Sequence, residues 1–478
     1  MSATTAYPRI IQGGMGVGVS SWRLANAVSR AGQLGVVSGS MLDTVMVRRL
    51  QDGDPGGHIR RAANRFPIPG VADRVIERYY RPSGRPPGTA YQLLPMYRRW
   101  VSPARQRVTM LANFVEVWLA KEGHSGAVGI NLLTKVQMPN MPSLYGAMLA
   151  GAHVVLMGAG IPREIPGVLD TLACHEPTSM RLDVEGDPAS SSELLTFDPR
   201  RHWAPTMDVR RPRFLPIVSA SSLAATLARK ASGRVDGFVV EGPTAGGHNA
   251  PPRGEARFNA DGEPLYGERD LVDLARMREL GLPFWLAGSK ASLGAVHAAR
   301  ALGAEGVQVG TMFAYCAESG FTPAIRRAVL AGIARGKARV RTDPRASPTG
   351  YPFKIVEVEG MSRQDDTRQR VCDLGYLRSA YRTPTGTLGY RCPAEPVETY
   401  VAKGGDAADA VGRRCLCNGL TANIGLPQRR DAGDELPLVT SGDDLASVLT
   451  LASATADYAA ADVIRHLLAD PAQPHHSA

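Results

Sequence analysis

Cysteine is scarce in this chain, with six residues in 478 (Cys174, Cys316, Cys372, Cys392, Cys415 and Cys417). The opening MSATTAYPRI lacks the charged and apolar regions of an export signal. Sparse thiols without such a signal read as reduced side chains and exclude a disulfide framework. Long hydrophobic runs are missing too, since none approaches the roughly 18–20 apolar residues that cross a bilayer. The expectation is a cytoplasmic protein with no membrane partner. Neither HExxH nor GxSxG occurs, which removes a zincin helix and a hydrolase nucleophile elbow. Cys372, Cys392, Cys415 and Cys417 follow C-x19-C-x22-C-x-C, without the paired C-x2-C knuckles of structural zinc, so no metal is expected. His58, His124, His153, His175 and His202 each stand alone and read as structural.

Acidic residues are outnumbered by basic ones, giving a formal net charge of +10. Thirteen arginines against four acids fall within residues 48–107, beside the Pro-rich turn PSGRPPG (82–88). No nucleic-acid motif accompanies the excess, and nucleic acid is not an expected partner. The segment reads first as a solvated insertion, and second as a basic rim that draws in an anion.

Short β-branched runs alternate with helical stretches as far as about residue 312, which argues for βαβ units. Eight runs are countable: Arg9–Gln12, Leu34–Ser38, Ala127–Leu132, His153–Met157, Phe214–Ser219, Val235–Glu241, Pro283–Ala287 and Gly306–Gly310. Eight strands with glycine-rich loops after most of them fit an α/β fold, a (β/α)8 TIM barrel, better than an open doubly wound sheet. The expected division is a barrel over 1–330, with a basic insertion after strand two (about 43–125) and a smaller one near 179–184. A C-terminal, mainly helical extension over 331–478 would pack on the barrel, with helices at 322–335 and 442–468.

In such a barrel the chemistry gathers at the C-terminal ends of the strands. The most informative stretch is VDGFVVEGPTAGGHNAPPRG (235–254). Gly246 and Gly247 let the backbone approach a flat ligand, and they bring His248 to the rim of strand six. Imidazole suits proton transfer near neutrality, so His248 is the candidate base. Strands seven and eight end in LAGSKAS (286–292) and GVQVGTMFAY (306–315). Barrels often bind phosphate with these last two turns. Backbone amides of Gly288, Ser289, Gly310 and Thr311 can cradle one, with Lys290 nearby as a cation. Gln12, Gly13 and Gly14 after strand one, Asn131 after strand three, Ser219 after strand five and Gln308 on strand eight complete the ring. Amide groups on that ring suit the edge of an isoalloxazine. The dinucleotide reading of GGMGVG fails, because the second strand ends VVSGS without an acid.

GGMG after strand one, GIN at strand three, AGGH after strand six and AEGVQVGTMF (304–313) together resemble the nitronate monooxygenase family, formerly the 2-nitropropane dioxygenases. FMN-dependent enoyl-acyl-carrier-protein reductases are related to it. The resemblance covers roughly residues 8–330. It implies an FMN-binding barrel, with His248 as base or substrate contact and FMN contacts at Gln12, Gly13, Asn131, Gly247, Gly288, Gly310 and Thr311. The chain departs from the family at Thr244-Ala245, where an acidic residue usually precedes AGGH, and at Asn249, where glycine usually follows the histidine.

Three functions follow as expectations. The first is oxidation of a small anionic nitronate, or of a nitroalkane, with O2 to a carbonyl compound and nitrite. The second is reduction of an enoyl thioester by NAD(P)H, with the basic insertion docking an acyl carrier protein. The third is a barrel that serves as a non-catalytic subunit.

Overall fold

Near-continuous apolar residues inside each short strand dictate a sheet buried on both faces, and the fold is such a sheet closed on itself. The computed structural model describes residues 7–187, 193–359, 369–452 and 457–470. Its eight principal strands are β1 (Ile10–Gln12), β2 (Gly35–Ser38), β3 (Val128–Leu133), β4 (Val154–Gly158), β5 (Arg213–Val218), β6 (Phe238–Glu241), β7 (Phe284–Ala287) and β8 (Gly306–Val309). They pair in parallel in the order β1-β8-β7-β6-β5-β4-β3-β2. A single parallel bridge between Ile11 and Leu34 closes the ring. Its backbone bonds run from the Gln12 N–H to the Leu34 carbonyl (3.0 Å) and from the Leu34 N–H to the Ile10 carbonyl (3.1 Å).

The shortness of this seam explains Gln12. Its Oε1 accepts the Val36 N–H at 3.0 Å, and its Nε2 donates to Ser20 Oγ at 2.8 Å and to the Gly13 carbonyl. The side chain thus extends the ladder where backbone pairing stops. With its amide spent and no exposed surface, Gln12 is a closure residue rather than a ligand contact.

Inward-facing Ile11, Leu34, Val36, Val154, Leu156, Leu215, Val239 and Trp285 fill the barrel, as the layered interior of this fold requires. Trp285 closes the lower end by donating Nε1–H to the Pro8 carbonyl at 2.7 Å. The alternate residues, such as Ile10, Val37, Phe238 and Val240, face the surrounding helices.

The segment between β2 and β3 is helical, with Leu42–Gln51, His58–Ala63, Val71–Tyr79 and Pro103–Lys121. The last is capped by Ser102 Oγ, which accepts the Arg105 N–H at 3.2 Å. Its arginines are not simply a solvated face. Arg48 and Arg105 are buried, and Arg60, Arg85 and Arg99 pair with Asp54, Asp52 and Glu193. Asp43 takes Arg105 Nη1 at 2.7 Å, Thr109 Oγ1 at 2.8 Å and Tyr376 Oη at 2.5 Å. One buried carboxylate therefore ties three distant segments together. The Arg105 guanidinium and the hydroxyl donors outweigh burial and hold the Asp43 carboxyl below its ordinary range.

Beyond the barrel the chain forms β9 (Ala338–Asp343) and β10 (Phe353–Val358), an antiparallel hairpin, and a second hairpin of Ser379–Arg382 with Leu388–Arg391. These strands stand where the sequence pattern suggested only helices and loops. Instead of one helix over 442–468 there is a 3-10 turn, Leu445–Thr450, and a separate helix, Ala460–Leu468. Residues 453–456 lie outside the described residues. The separation has a tertiary cause, because Tyr458 donates to the Met312 carbonyl at 2.5 Å and its own carbonyl accepts the Ala317 N–H at 2.8 Å. Among the described residues, no helix is long and apolar enough to cross a membrane.

Candidate active site

A cavity of about 220 Å³ opens over the C-terminal ends of the strands. Its walls include Gly13, Gly14, Asn131, Gly246, Gly247, His248, Gly288, Ser289, Gln308, Gly310 and Thr311, so these expected residues are brought to one place. Lys290 joins them. Gln12 is excluded by its closure role. Ser219 lies instead on an adjoining cavity of about 190 Å³, where its carbonyl accepts Arg253 Nη2 at 2.6 Å. That carbonyl is thereby committed to the protein, which places Ser219 away from the expected ring.

His248 is partly buried and faces both cavities. Its Nε2 lies 2.7 Å from Ser347 Oγ. The Ser347 hydroxyl also accepts the Thr349 N–H at 3.2 Å and lies 2.8 Å from Thr349 Oγ1. The imidazole ring meets Phe353 edge-on, with centroids 4.8 Å apart. Burial pulls the His248 pKa down to about 4, because no carboxylate offsets the cost of desolvating an imidazolium. At neutral pH the ring is therefore uncharged, with one nitrogen a donor and the other an acceptor.

The loop that carries His248 is held by residues remote in sequence. Gly247 has φ +80°, a left-handed conformation that glycine adopts without strain. Its N–H donates to Thr440 Oγ1 (2.9 Å), and its carbonyl accepts the Lys354 N–H (2.9 Å). At Gly246 a Cβ would sit 2.7 Å from the Ser441 carbonyl carbon. The close approach expected there is thus made to the protein's own 440–442 segment, and Gly247 is the glycine with open space beside it. Lys354, buried, bonds Asp443 at 2.6 Å and Thr342 Oγ1 at 2.7 Å, fastening the hairpin to that segment. The chain beyond residue 340 consequently forms one side of the cavity.

Thr311 Oγ1 accepts the Gly442 N–H at 3.1 Å and also bonds Asp444. Its hydroxyl is engaged by the protein, which leaves the backbone of this turn, rather than the hydroxyl, for any phosphate. Ser289 adopts φ +48° next to Gly288 at φ +88°. A left-handed serine carries strain that such turns often store at ligand sites. Two buried amide oxygens on the cavity wall, Asn131 Oδ1 and Gln308 Oε1, have no hydrogen-bond partner among the described residues. Asn131 keeps its orientation by donating Nδ2 to the Gly14 carbonyl at 3.1 Å.

Sequence reasoning missed several wall residues. Glu241 ends β6 and lines both cavities, and burial pushes its pKa up to about 8. A lone acid closing an apolar strand, FVVE, was the available signal. Ser347, Phe353 and residues 440–442 gave none, being a hundred or more residues from the loop they support. The four C-terminal cysteines also come together, Cys372 with Cys392 and Cys415 with Cys417, around a void of about 10 Å³. Cys417 borders the main cavity as well. No group of His, Cys, Asp or Glu among the described residues is arranged to hold a metal ion.

Comparison with known proteins bears on this site. A family model described as nitronate monooxygenase matches residues 202–341, the span that holds β5 to β8, His248 and both final turns. Over 251 residues the chain is 29% identical to a nitronate monooxygenase of Paraburkholderia phytofirmans. That alignment covers 50% of this chain and 63% of the relative, so the match spans somewhat less than two thirds of its length. Among solved structures, FabK from Thermotoga maritima is 16% identical with a TM-score of 0.45, covering 97% of this chain and 92% of its own. A nitroalkane oxidase from Streptomyces ansochromogenes is 17% identical with a TM-score of 0.44, covering 98% and 96%.

Proposed function

We propose, from the match of residues 202–341 to the nitronate monooxygenase family model, that this chain is an FMN-dependent oxidoreductase that oxidises nitronates. The observation that carries the reading is an uncharged imidazole, buttressed by Ser347, on the wall of a cavity that also presents unpartnered amide oxygens.

The residues fit a flavin. Asn131 Oδ1 and Gln308 Oε1 are buried acceptors that nothing among the described residues satisfies, and such atoms are costly unless a ligand or water meets them. They are acceptors available to the edge N–H of an isoalloxazine and to a bound water. The backbone of Gly288, Ser289, Gly310 and Thr311 would hold the phosphate. FMN, when bound, accepts electrons from the substrate and passes them to O2.

His248 has two possible tasks, and its environment chooses between them. A ring whose pKa is about 4 is a weak acceptor for a carbon-bound proton. With Nε2 engaged by Ser347 Oγ, Nδ1 is the ring nitrogen left for a ligand, and in the tautomer that carries the proton there it is a donor. This favours holding a nitronate oxygen over deprotonating a nitroalkane. For a neutral nitroalkane, His248 would have to take the α-proton while the C–H pair moves into the nitro group, and only the anion formed would stabilise the imidazolium. The preferred substrate is therefore the preformed anion.

The test begins with the visible spectrum of the purified protein, followed by anaerobic mixing with a nitronate and with NADPH separately. Bleaching by the nitronate supports the reading. Bleaching by NADPH alone assigns an enoyl-thioester reductase instead, and a colourless protein that FMN does not reconstitute removes the flavin. In His248→Asn, kcat/KM for the nitronate is expected to fall roughly ten- to hundredfold with bound FMN retained, the loss of one donor to an anion. An unchanged nitronate kcat/KM in that variant would remove the role given to His248.

A further inference from the structure

We propose that the Glu241 carboxyl, on the walls shared with His248, donates a second hydrogen bond to the anionic oxygen of the bound substrate. The inference rests on the reading of the site as one for an oxyanion substrate, and it adds a catalytic residue that the family's histidine does not account for.

Position is the first observation. Glu241 is the last residue of β6, in register with Ala287 on β7. Together with His248, Ala159 and Ile217 it belongs to the walls of both cavities. It therefore stands at the junction of the two walls, bordering a ligand in either chamber.

The second observation is that Glu241 has no task in the fold. A structural acid in a protein interior finds an arginine, a lysine or amide donors, as Asp43 does with Arg105. Glu241 has neither an ion pair nor a side-chain hydrogen bond among the described residues, and burial is the sole influence on its ionisation. The charged and titratable groups of the larger chamber are His248, Lys290, Tyr376, Cys417 and Asp444. Those of the smaller chamber are Arg253, Tyr266, Asp270 and Tyr351. None is bonded to Glu241. Arg253 is committed elsewhere, through Nη1 to the Arg269 carbonyl and Nη2 to the Ser219 carbonyl, each at 2.6 Å.

Chemistry supplies the third step. An ionised carboxylate at this junction would repel an anionic substrate. A neutral acid has an O–H to give, and a buried acid kept protonated can serve as an oxyanion donor. Burial holds Glu241 protonated up to about pH 8, so it is chiefly the acid at neutrality. No proton is transferred in this role, and no bond other than the hydrogen bond forms.

The experiment has a structural and a kinetic arm, both on the FMN-loaded full chain. Difference infrared spectra of wild type minus Glu241→Gln at pH 7 should show the carbonyl stretch of a protonated carboxyl, replaced by carboxylate bands near pH 9. In nitronate turnover, Glu241→Ala should lower kcat/KM by roughly ten- to hundredfold, the usual loss for one donor to a developing or full anion. Glu241→Gln keeps an N–H donor and should stay within about threefold of wild type. The wild-type fall in kcat/KM as pH rises through about 8 should be absent in Glu241→Gln, because an amide does not titrate. An unchanged alkaline limb in Glu241→Gln, a missing protonated-carboxyl band, or an undiminished Glu241→Ala would each overturn the inference. Failure of the functional reading looks different: wild type would show the carboxyl band but no flavin reduction by nitronate.

Discussion

Replacing Ser347 by alanine tests whether the imidazole works through its neighbour. Ser347 is fully buried and its Oγ lies 2.7 Å from His248 Nε2. The hydroxyl also satisfies the Thr349 N–H at 3.2 Å. Alanine removes one hydrogen bond to the ring and strands a buried amide, at a cost of about 1–3 kcal/mol in stability. The functional loss is separate. Without the hydroxyl the ring can place its proton on either nitrogen and rotate against Phe353. If misorientation costs the ring about 1.4–2.8 kcal/mol of transition-state contact, kcat/KM falls by roughly ten- to hundredfold. The assay is anaerobic stopped-flow reduction of the flavin by nitronate, with FMN affinity measured in parallel and expected to hold. A double-mutant cycle decides the mechanism. Since Ser347 acts only by orienting His248, adding Ser347→Ala to His248→Asn should cost nothing further in kcat/KM. A folded Ser347→Ala protein with wild-type kcat/KM, or full additivity with His248→Asn, would refute the coupling.

Two further predictions concern the scaffold. Asp43→Ala leaves the Arg105 guanidinium buried without its carboxylate, so stability measured by urea unfolding should fall by about 3–5 kcal/mol. A loss below about 1 kcal/mol would mean that solvent reaches Arg105. Acid should also destabilise the fold early. His153, His202 and His248 are held to about 4 chiefly by burial, against an unfolded value near 6.5. Each favours the folded state above 6.5 and loses that contribution as pH falls toward 4. Glu241, raised to about 8, works the other way, binding a proton in the folded state that the unfolded chain releases above about 4.5. Three protons against one leaves about two taken up on unfolding between pH 6.5 and 4.5. Thermal midpoints should drop across that window, and a flat profile there would contradict the burial of these rings.

The barrel was legible because its signal is local. Each strand is a short run of three to six mostly apolar residues, most of them ending at a glycine, a pattern that needs no tertiary information. The eight sequence-derived runs fall within one residue of the strands at every boundary except the start of Val235–Glu241, which is shortened to Phe238–Glu241. The ring of glycines and His248 was legible for the same reason, since loops after parallel strands all emerge on one face. Gln12 shows where the inference stopped. Its place at a strand end predicted a ligand contact, but β1 and β2 share only one backbone bridge, and the side chain is drawn into the missing ladder. Ser219 failed similarly, its carbonyl taken by Arg253.

What the sequence concealed is the half of the site supplied from afar. Ser347, Phe353 and the 440–444 segment carry no motif that marks a site, and they matter only because Lys354, buried, joins Asp443 at 2.6 Å while its backbone N–H meets the Gly247 carbonyl. That single lysine couples the hairpin, the 440–444 segment and the histidine loop. The consequence is physical: Ser347 and Phe353, from chain beyond residue 340, pack against the imidazole, so the burial that keeps His248 neutral is a property of the covered barrel rather than of the AGGH loop alone.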